Sequence, residues 1–238
     1  MTDPGLAASI RGALDRARRP GRPRLEVLGA TSPVRRLGLI PGSFDPMTIG
    51  HAALADALGA DLSLFVYSPS TLPKEHAPGG APEPSLLSQQ DRVASLVAYC
   101  LDRPARGVAL CSHGLLVDQA EAAAASFPLS RLVLGVGSDK LVQLADPRWY
   151  RDRDDALDRL FTLAEVAFAL RTGDEGRILR ALDETGRWRD RLRRVRLPPE
   201  AASVSSRAVR AALRLGGNVE SAIPPEVRPF VSPGAGSP

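Results

Sequence analysis

Short apolar runs alternate along the chain with stretches in which apolar residues recur every three or four positions. The apolar runs at 37–41, 62–67, 108–111, 132–136, 166–170 and 195–197 predict strands. Helical spacing between them predicts helices over about 49–58, 85–102, 114–126, 153–161, 174–187 and 205–215. Repeated strand-helix-strand order is the signature of a parallel sheet, because parallel neighbours need a crossover that carries the chain back to the same end. The fold class is therefore α/β, a mostly parallel sheet with helices on both faces. Ligands of such sheets bind beyond the carboxyl ends of the strands, where the strand order reverses.

The two ends of the chain read differently. Residues 5–19 form a short amphipathic helix, with Leu6, Ile10, Leu14 and Ala17 on one side and arginines elsewhere. Pro20, Pro23 and Pro33 then punctuate an arm in which 25–28 adds at most an edge strand. Residues 1–35 are read as an N-terminal extension, 36–231 as the domain, and the Ser/Pro/Gly-rich 232–238 as a disordered tail.

Composition narrows the class without changing this picture. The 238 residues, 44% hydrophobic and 24% charged, suit one soluble globular domain. No apolar run reaches membrane-spanning length and the Met1 end lacks a secretory pattern, so a cytoplasmic protein is expected. Cys100 and Cys111 stand in no metal-ligand spacing with His51, His76 or His113, so neither a disulfide framework nor a protein metal site is expected. The net charge of +4 raises the question of nucleic acid, yet only two of the 31 basic residues are lysines, which marks a compositional bias toward arginine. Neither nucleic acid nor membrane is an expected partner. The same bias makes Lys74 and Lys140 informative, since each falls in a candidate motif.

The most informative stretch is Gly42-Ser43-Phe44-Asp45-Pro46-Met47-Thr48-Ile49-Gly50-His51. A strand runs into a Gly/Ser/Asp/Pro turn, and a helix starts near Ile49 with Thr48 placed to cap it and His51 on its first turn. Backbone amides and the positive end of the helix dipole meet an imidazole there, which makes a phosphate site. Gly42 lets the chain pass close to a phosphate, and Ser43 offers a hydroxyl and an amide. Taken singly, each of these residues would also serve a plain strand-to-helix turn.

Their joint order resembles the signature of the nucleotidylyltransferase superfamily, a strand followed by G-[ST]-F-[DN]-P and then [HT]-x-G-H. The chain gives G-S-F-D-P at Gly42 to Pro46 and T-x-G-H at Thr48 to His51. The resemblance implies a Rossmann-like domain in which Gly42, Ser43, Phe44, Thr48 and His51 meet ATP. Near the other end, Val204-Ser205-Ser206-Arg207-Ala208-Val209-Arg210 is similar to the I-S-S-T-x-[IV]-R element of adenylyltransferases, with Arg207 in place of the usual Thr. In that element the Ser and Arg contact the ATP phosphates, which carries over to Ser205, Ser206 and Arg210.

Three middle segments extend the match toward nicotinate and nicotinamide mononucleotide adenylyltransferases. Leu72-Pro73-Lys74 stands where the family carries a Pro-x-Lys loop, so Lys74 is a candidate clamp on either substrate's phosphate. Gly135 to Leu141 looks like the family's Gly-Ala-Asp turn, with Asp139 as the counterpart of the ribose-binding Asp. Trp149, with Tyr150 beside it, stands where the family often places a Trp near the nicotinamide ring. The implied reaction transfers AMP from ATP to the mononucleotide, with His51, Arg210 and Lys74 as catalytic residues, Trp149, Tyr150 and Lys74 on the acceptor, and Mg²⁺ carried with ATP. The partners are then ATP and a mononucleotide, and a homo-oligomer is allowed. Thr48 also permits phosphopantetheine as acceptor, and Arg207 with the altered 137–140 loop leaves open an inactive nucleotide sensor or scaffold.

Overall fold

The computed structural model describes residues 3–29, 33–70, 84–170 and 186–231. Its centre is a seven-stranded sheet in the order β1-β4-β3-β2-β5-β6-β7. The strands are β1 (Leu25–Leu28), β2 (Arg36–Gly42), β3 (Leu62–Tyr67), β4 (Arg106–Cys111), β5 (Arg131–Gly137), β6 (Ala164–Ala169) and β7 (Leu192–Val195). All neighbours are parallel except β1, which pairs antiparallel with β4. The chain first fills the sheet outward from β2 through β3 to β4, then returns to the other side of β2 for β5, β6 and β7. The reversal between β2 and β5 opens a crevice at their carboxyl ends.

Side-chain alternation along the strands supplies two apolar layers. Leu37 and Leu39 of β2 and Leu64 and Val66 of β3 face one layer, while Ile40, Phe65 and Tyr67 face the other. The first layer is closed by α4 (Leu116–Ser126), α5 (Ser138–Ala145) and α6 (Arg153–Leu163). The second is closed by α1 (Pro4–Ala17), α2 (Ile49–Ala57), α3 (Gln89–Cys100) and the C-terminal segments. Those segments include α7 (Pro199–Ala202), α8 (Ser206–Arg214) and α9 (Arg228–Val231). Every residue of β3 is buried, which explains why the central strands read as unbroken apolar runs.

Three expectations need correction. The N-terminal segment is no arm outside the domain: Ile10, Ala13, Leu14 and Ala17 of α1 are buried in the second layer, while β1 is the edge strand that the sequence allowed, paired with β4. The Arg16 guanidinium grips Glu26 through Nε (3.0 Å) and Nη2 (2.5 Å), and the Arg24 amide donates to Ser112 Oγ at 3.0 Å. Polar residues between the apolar positions of α1 suggest a free surface helix, whereas one of them, Arg16, ties the rim of the helix to β1. Second, Ser138–Ala145 is a helix, hidden in the sequence because it follows β5 with no intervening loop. Third, the last strand lies at Leu192–Val195, upstream of the expected 195–197. The expected helix over 174–187 falls largely outside the described residues, as do Lys74, His76 and the 232–238 tail. Among the described residues no helix is long and apolar enough to cross a membrane.

Burial of α1 generates a prediction. Leu14→Ala should lower the unfolding free energy by about 2–5 kcal/mol, the cost of emptying a packed leucine site. Urea unfolding of the whole chain measures it, and an unchanged midpoint would mean that α1 is not part of the cooperative core.

Candidate active site

The turn after β2 forms the floor of the crevice. Phe44 lies fully buried with φ of 45°, a left-handed conformation that a large side chain adopts only when its surroundings hold it there. Its ring packs edge-on to Phe65 at 5.9 Å and tilted against the His51 ring at 5.1 Å. A Cβ on Gly42 would lie 2.8 Å from that ring, so the glycine is required by close approach. Gly50 has a similar reason: a Cβ there would stand 3.1 Å from the Ala201 carbonyl oxygen, so its absence lets α7 come down onto α2.

Asp45 ties this turn to its neighbours. Its buried carboxylate accepts the Leu86 amide at 3.1 Å and the Leu87 amide at 2.8 Å, and lies 3.4 Å from Arg92 Nη2. Arg92, itself buried, also donates to the Ser43 and Leu87 carbonyls. From the other side Arg210 Nη1 donates to the Asp45 carbonyl at 2.6 Å, with its carboxylate 3.7 Å away. Ser206 Oγ donates to the Pro46 carbonyl at 2.8 Å. The two motifs, 160 residues apart in the chain at this contact, are thus hydrogen-bonded to each other.

His51 is oriented by its own helix start. The Thr48 amide lies 3.1 Å from Nδ1 and the Thr48 hydroxyl 2.9 Å from it. A backbone N–H can only donate, so Nδ1 accepts and the neutral ring carries its proton on Nε2. The ring's donor, Nε2–H, thus points from the far side of the ring. At the start of α8, Ser205 Oγ accepts the Ala208 amide at 3.1 Å and so caps the helix.

The crevice is lined by Gly42, Ser43, Thr48 and His51 from the first motif and by Ser205 and Ser206 from the second. Asp139 and Lys140 line it from α5, where Asp139 occupies the first turn and Lys140 Nζ donates to Gln143 Oε1 at 2.9 Å. Four site expectations land elsewhere. Phe44 exposes no surface and supports the floor from beneath. Arg210 is buried against Asp45 and does not line the crevice, whereas Arg207 does. Tyr150 packs into the layer under α4 and α6, where burial, followed by the charges of Asp118 and Asp146, raises its phenol above the ordinary range. Trp149 is half-buried in a single 3₁₀ turn, Pro147–Trp149, outside the lining set. Sequence reasoning missed Arg92, whose place within a helical pattern carries no sign of its long reach, and gave Asp45 no role beyond its place in the motif.

A parallel sheet whose switch point carries a glycine turn, a capped helix and an oriented imidazole has the build of a nucleotide-binding α/β domain. No family model matches the chain. A protein of Laribacter hongkongensis named "Probable nicotinate-nucleotide adenylyltransferase" is 30% identical over 222 residues, covering 82% of this chain and 91% of that protein. One of the same name from Methylibium petroleiphilum is 29% identical over 210 residues, covering 84% and 90%. A solved structure from Vibrio parahaemolyticus, described as "a Putative Nicotinate-nucleotide Adenylyltransferase", aligns over 83% of this chain and 98% of its own with 14% identity and a TM-score of 0.39. The chain belongs to the nicotinate-nucleotide adenylyltransferase family, and it is a nucleotidyltransferase.

The Asp45 network generates the second prediction. Asp45→Ala leaves two buried guanidinium groups and two amides without their carboxylate, so stability should fall by about 3–5 kcal/mol. A loss under about 1 kcal/mol in urea unfolding, in the range of an exposed ion pair, would contradict this reading.

Proposed function

We propose that the enzyme transfers AMP from ATP to nicotinate mononucleotide, releasing pyrophosphate and forming a dinucleotide in NAD biosynthesis. The observation that carries this is the oriented His51 beside the Gly42-Ser43 turn at the switch point, together with the names borne by the two bacterial relatives. A phosphate oxygen of the mononucleotide attacks the α-phosphorus of ATP in line, and the bond to the β-phosphate's bridging oxygen breaks. The attacking phosphate is already ionised near neutral pH, so the protein's work is positioning and charge stabilisation rather than base catalysis. His51 Nε2–H and the amides around Ser43 are assigned to the charge that grows on the α-phosphate. Asp139, on the rim at the start of α5, is assigned to the adenosine ribose.

Asp139 is the one carboxylate among the described residues lining the crevice, so they build no oxygen cage for a metal. Mg²⁺ would be held by the ATP phosphates rather than by protein carboxylates, and would supply charge neutralisation for the leaving pyrophosphate. The domain that performs this comprises residues 36–231 with α1 and β1 built into its core. Lys74 remains assigned as a phosphate clamp through the resemblance alone. Neither a membrane nor a nucleic acid takes part in this reaction.

The direct test is pyrophosphate release from ATP and Mg²⁺ with nicotinate mononucleotide, nicotinamide mononucleotide and phosphopantetheine supplied in turn. Release should be fastest with nicotinate mononucleotide, and release with none of the three would end the proposal. His51→Ala should lower kcat by about two to three powers of ten, the loss typical of one preorganised donor. Loss of the Nδ1 hydrogen bond should cost about 1 kcal/mol of stability, so the fold survives the substitution.

The acceptor ring is assigned to Trp149, whose half-buried indole can stack on a flat or cationic ring. Trp149→Ala should raise KM for the mononucleotide roughly tenfold and leave KM for ATP almost unchanged, since stacking of about 1 kcal/mol or more acts on one substrate only. Equal rises in both constants would assign the indole to packing instead.

A further inference from the structure

We propose that Lys140 is a second ribose contact, its ammonium donating to the vicinal hydroxyls of ATP while the Asp139 carboxylate accepts from them, so that the pair selects a ribonucleotide over its deoxy forms. The inference rests on the adenylyl-transfer reading and adds to it a residue that the reading leaves without a task. Lys140 follows Asp139 directly on the first turn of α5 and lines the same crevice. Gly137 is both the last residue of β5 and the N-cap of α5, so no loop separates the sheet from these two side chains. The half-buried ammonium is steadied one turn further along, where Lys140 Nζ donates to Gln143 Oε1 at 2.9 Å.

Helix stability does not ask for a lysine at this position. The first turn of a helix carries the positive end of its dipole, which the Asp139 carboxylate suits and an ammonium opposes. Composition does not ask for it either, since only two of the 31 basic residues are lysines. A ligand with paired hydroxyls does. Each hydroxyl of a vicinal diol can donate and accept, whereas a carboxylate only accepts and an ammonium only donates. Side by side on one wall, the two groups together meet both roles of the diol. The crevice also carries Ala169, Leu197, Ala201 and Val204, apolar side chains that suit a base rather than a sugar.

Calorimetric binding of ATP and of 2′,3′-dideoxy-ATP to the whole chain tests this, with pyrophosphate release measured alongside. Lys140→Ala should weaken ATP about tenfold, the effect of losing a charge-assisted hydrogen bond, and change dideoxy-ATP less than about twofold. Periodate-oxidised ATP gives an independent readout, because its 2′,3′-dialdehyde condenses with a lysine amine to an imine and water, and borohydride reduces the imine to a stable amine. With only two lysines in the chain, peptide mapping should find the label on Lys140, and ATP present beforehand should prevent it. Equal weakening of both nucleotides in Lys140→Ala, or a label confined to Lys74, overturns the assignment of Lys140 and, with wild-type pyrophosphate release intact, leaves the reaction standing. A wild-type chain that neither binds ATP nor releases pyrophosphate overturns both.

Discussion

The site depends on the compensation of one buried carboxylate. Removing an ionised carboxyl group from water costs several kcal/mol, so Asp45 is tolerable only with its donors in place. Those donors come from separate parts of the chain: the Leu86 and Leu87 amides and the Arg92 guanidinium from the start of α3, with Arg210 of α8 close by. None of these segments can withdraw without stranding charge. The turn that carries Gly42, Ser43 and Phe44 is therefore fixed from two sides. That enforcement explains how Phe44 holds a left-handed backbone conformation beneath the glycine that needs the space.

Rigidity at the turn passes directly to the imidazole. Thr48 is 1% exposed and follows the Asp45-Pro46-Met47 segment, and its amide and hydroxyl meet His51 Nδ1. The direction of Nε2–H is set by backbone rather than by a mobile side chain, which is the condition for a preorganised donor. Gly50 extends the same logic to the other motif, because close approach of α7 to α2 brings the segment leading into Ser205 to the crevice. The outer strands protect this arrangement differently. One edge is β1, whose segment is bonded to the loop after β4, and the other is the short β7 with exposed Arg193 and Arg194, charges that discourage pairing with another chain.

Much of this is legible in the sequence because the physics is local. Strands buried on both faces announce themselves as apolar runs, and β3 matches its run to the residue, whereas β2 and β5 differ only at their ends. Helix caps are legible for the same reason, with Thr48 and Ser205 preceding α2 and α8. Long-range choices are not. The burial of α1 depends on whether the second apolar layer has room for it, and β1 depends on an edge of β4 that the sequence does not reveal. Tyr150 follows a tryptophan in the expected acceptor region, yet it packs, partly buried, against the first apolar layer.

Motif matching fixes which residues stand in a stretch, while orientation follows from what the stretch packs against. Arg207 and Arg210 are three positions apart, which on a helix places them about 60° apart around the axis and about 4.5 Å apart along it. That small offset spans the boundary between solvent and interior at this helix start. At the mouth a guanidinium keeps its hydration until a ligand replaces it, whereas one turn deeper it must find oxygen acceptors in the protein. Asp45 supplies one through its carbonyl, with its carboxylate nearby. The deeper arginine thereby ties the helix to the Asp45 turn, while Arg207 stays exposed on the crevice wall. Correspondence by position is therefore a statement about the backbone of such an element, while what each long side chain touches is decided by the depth at which the helix begins.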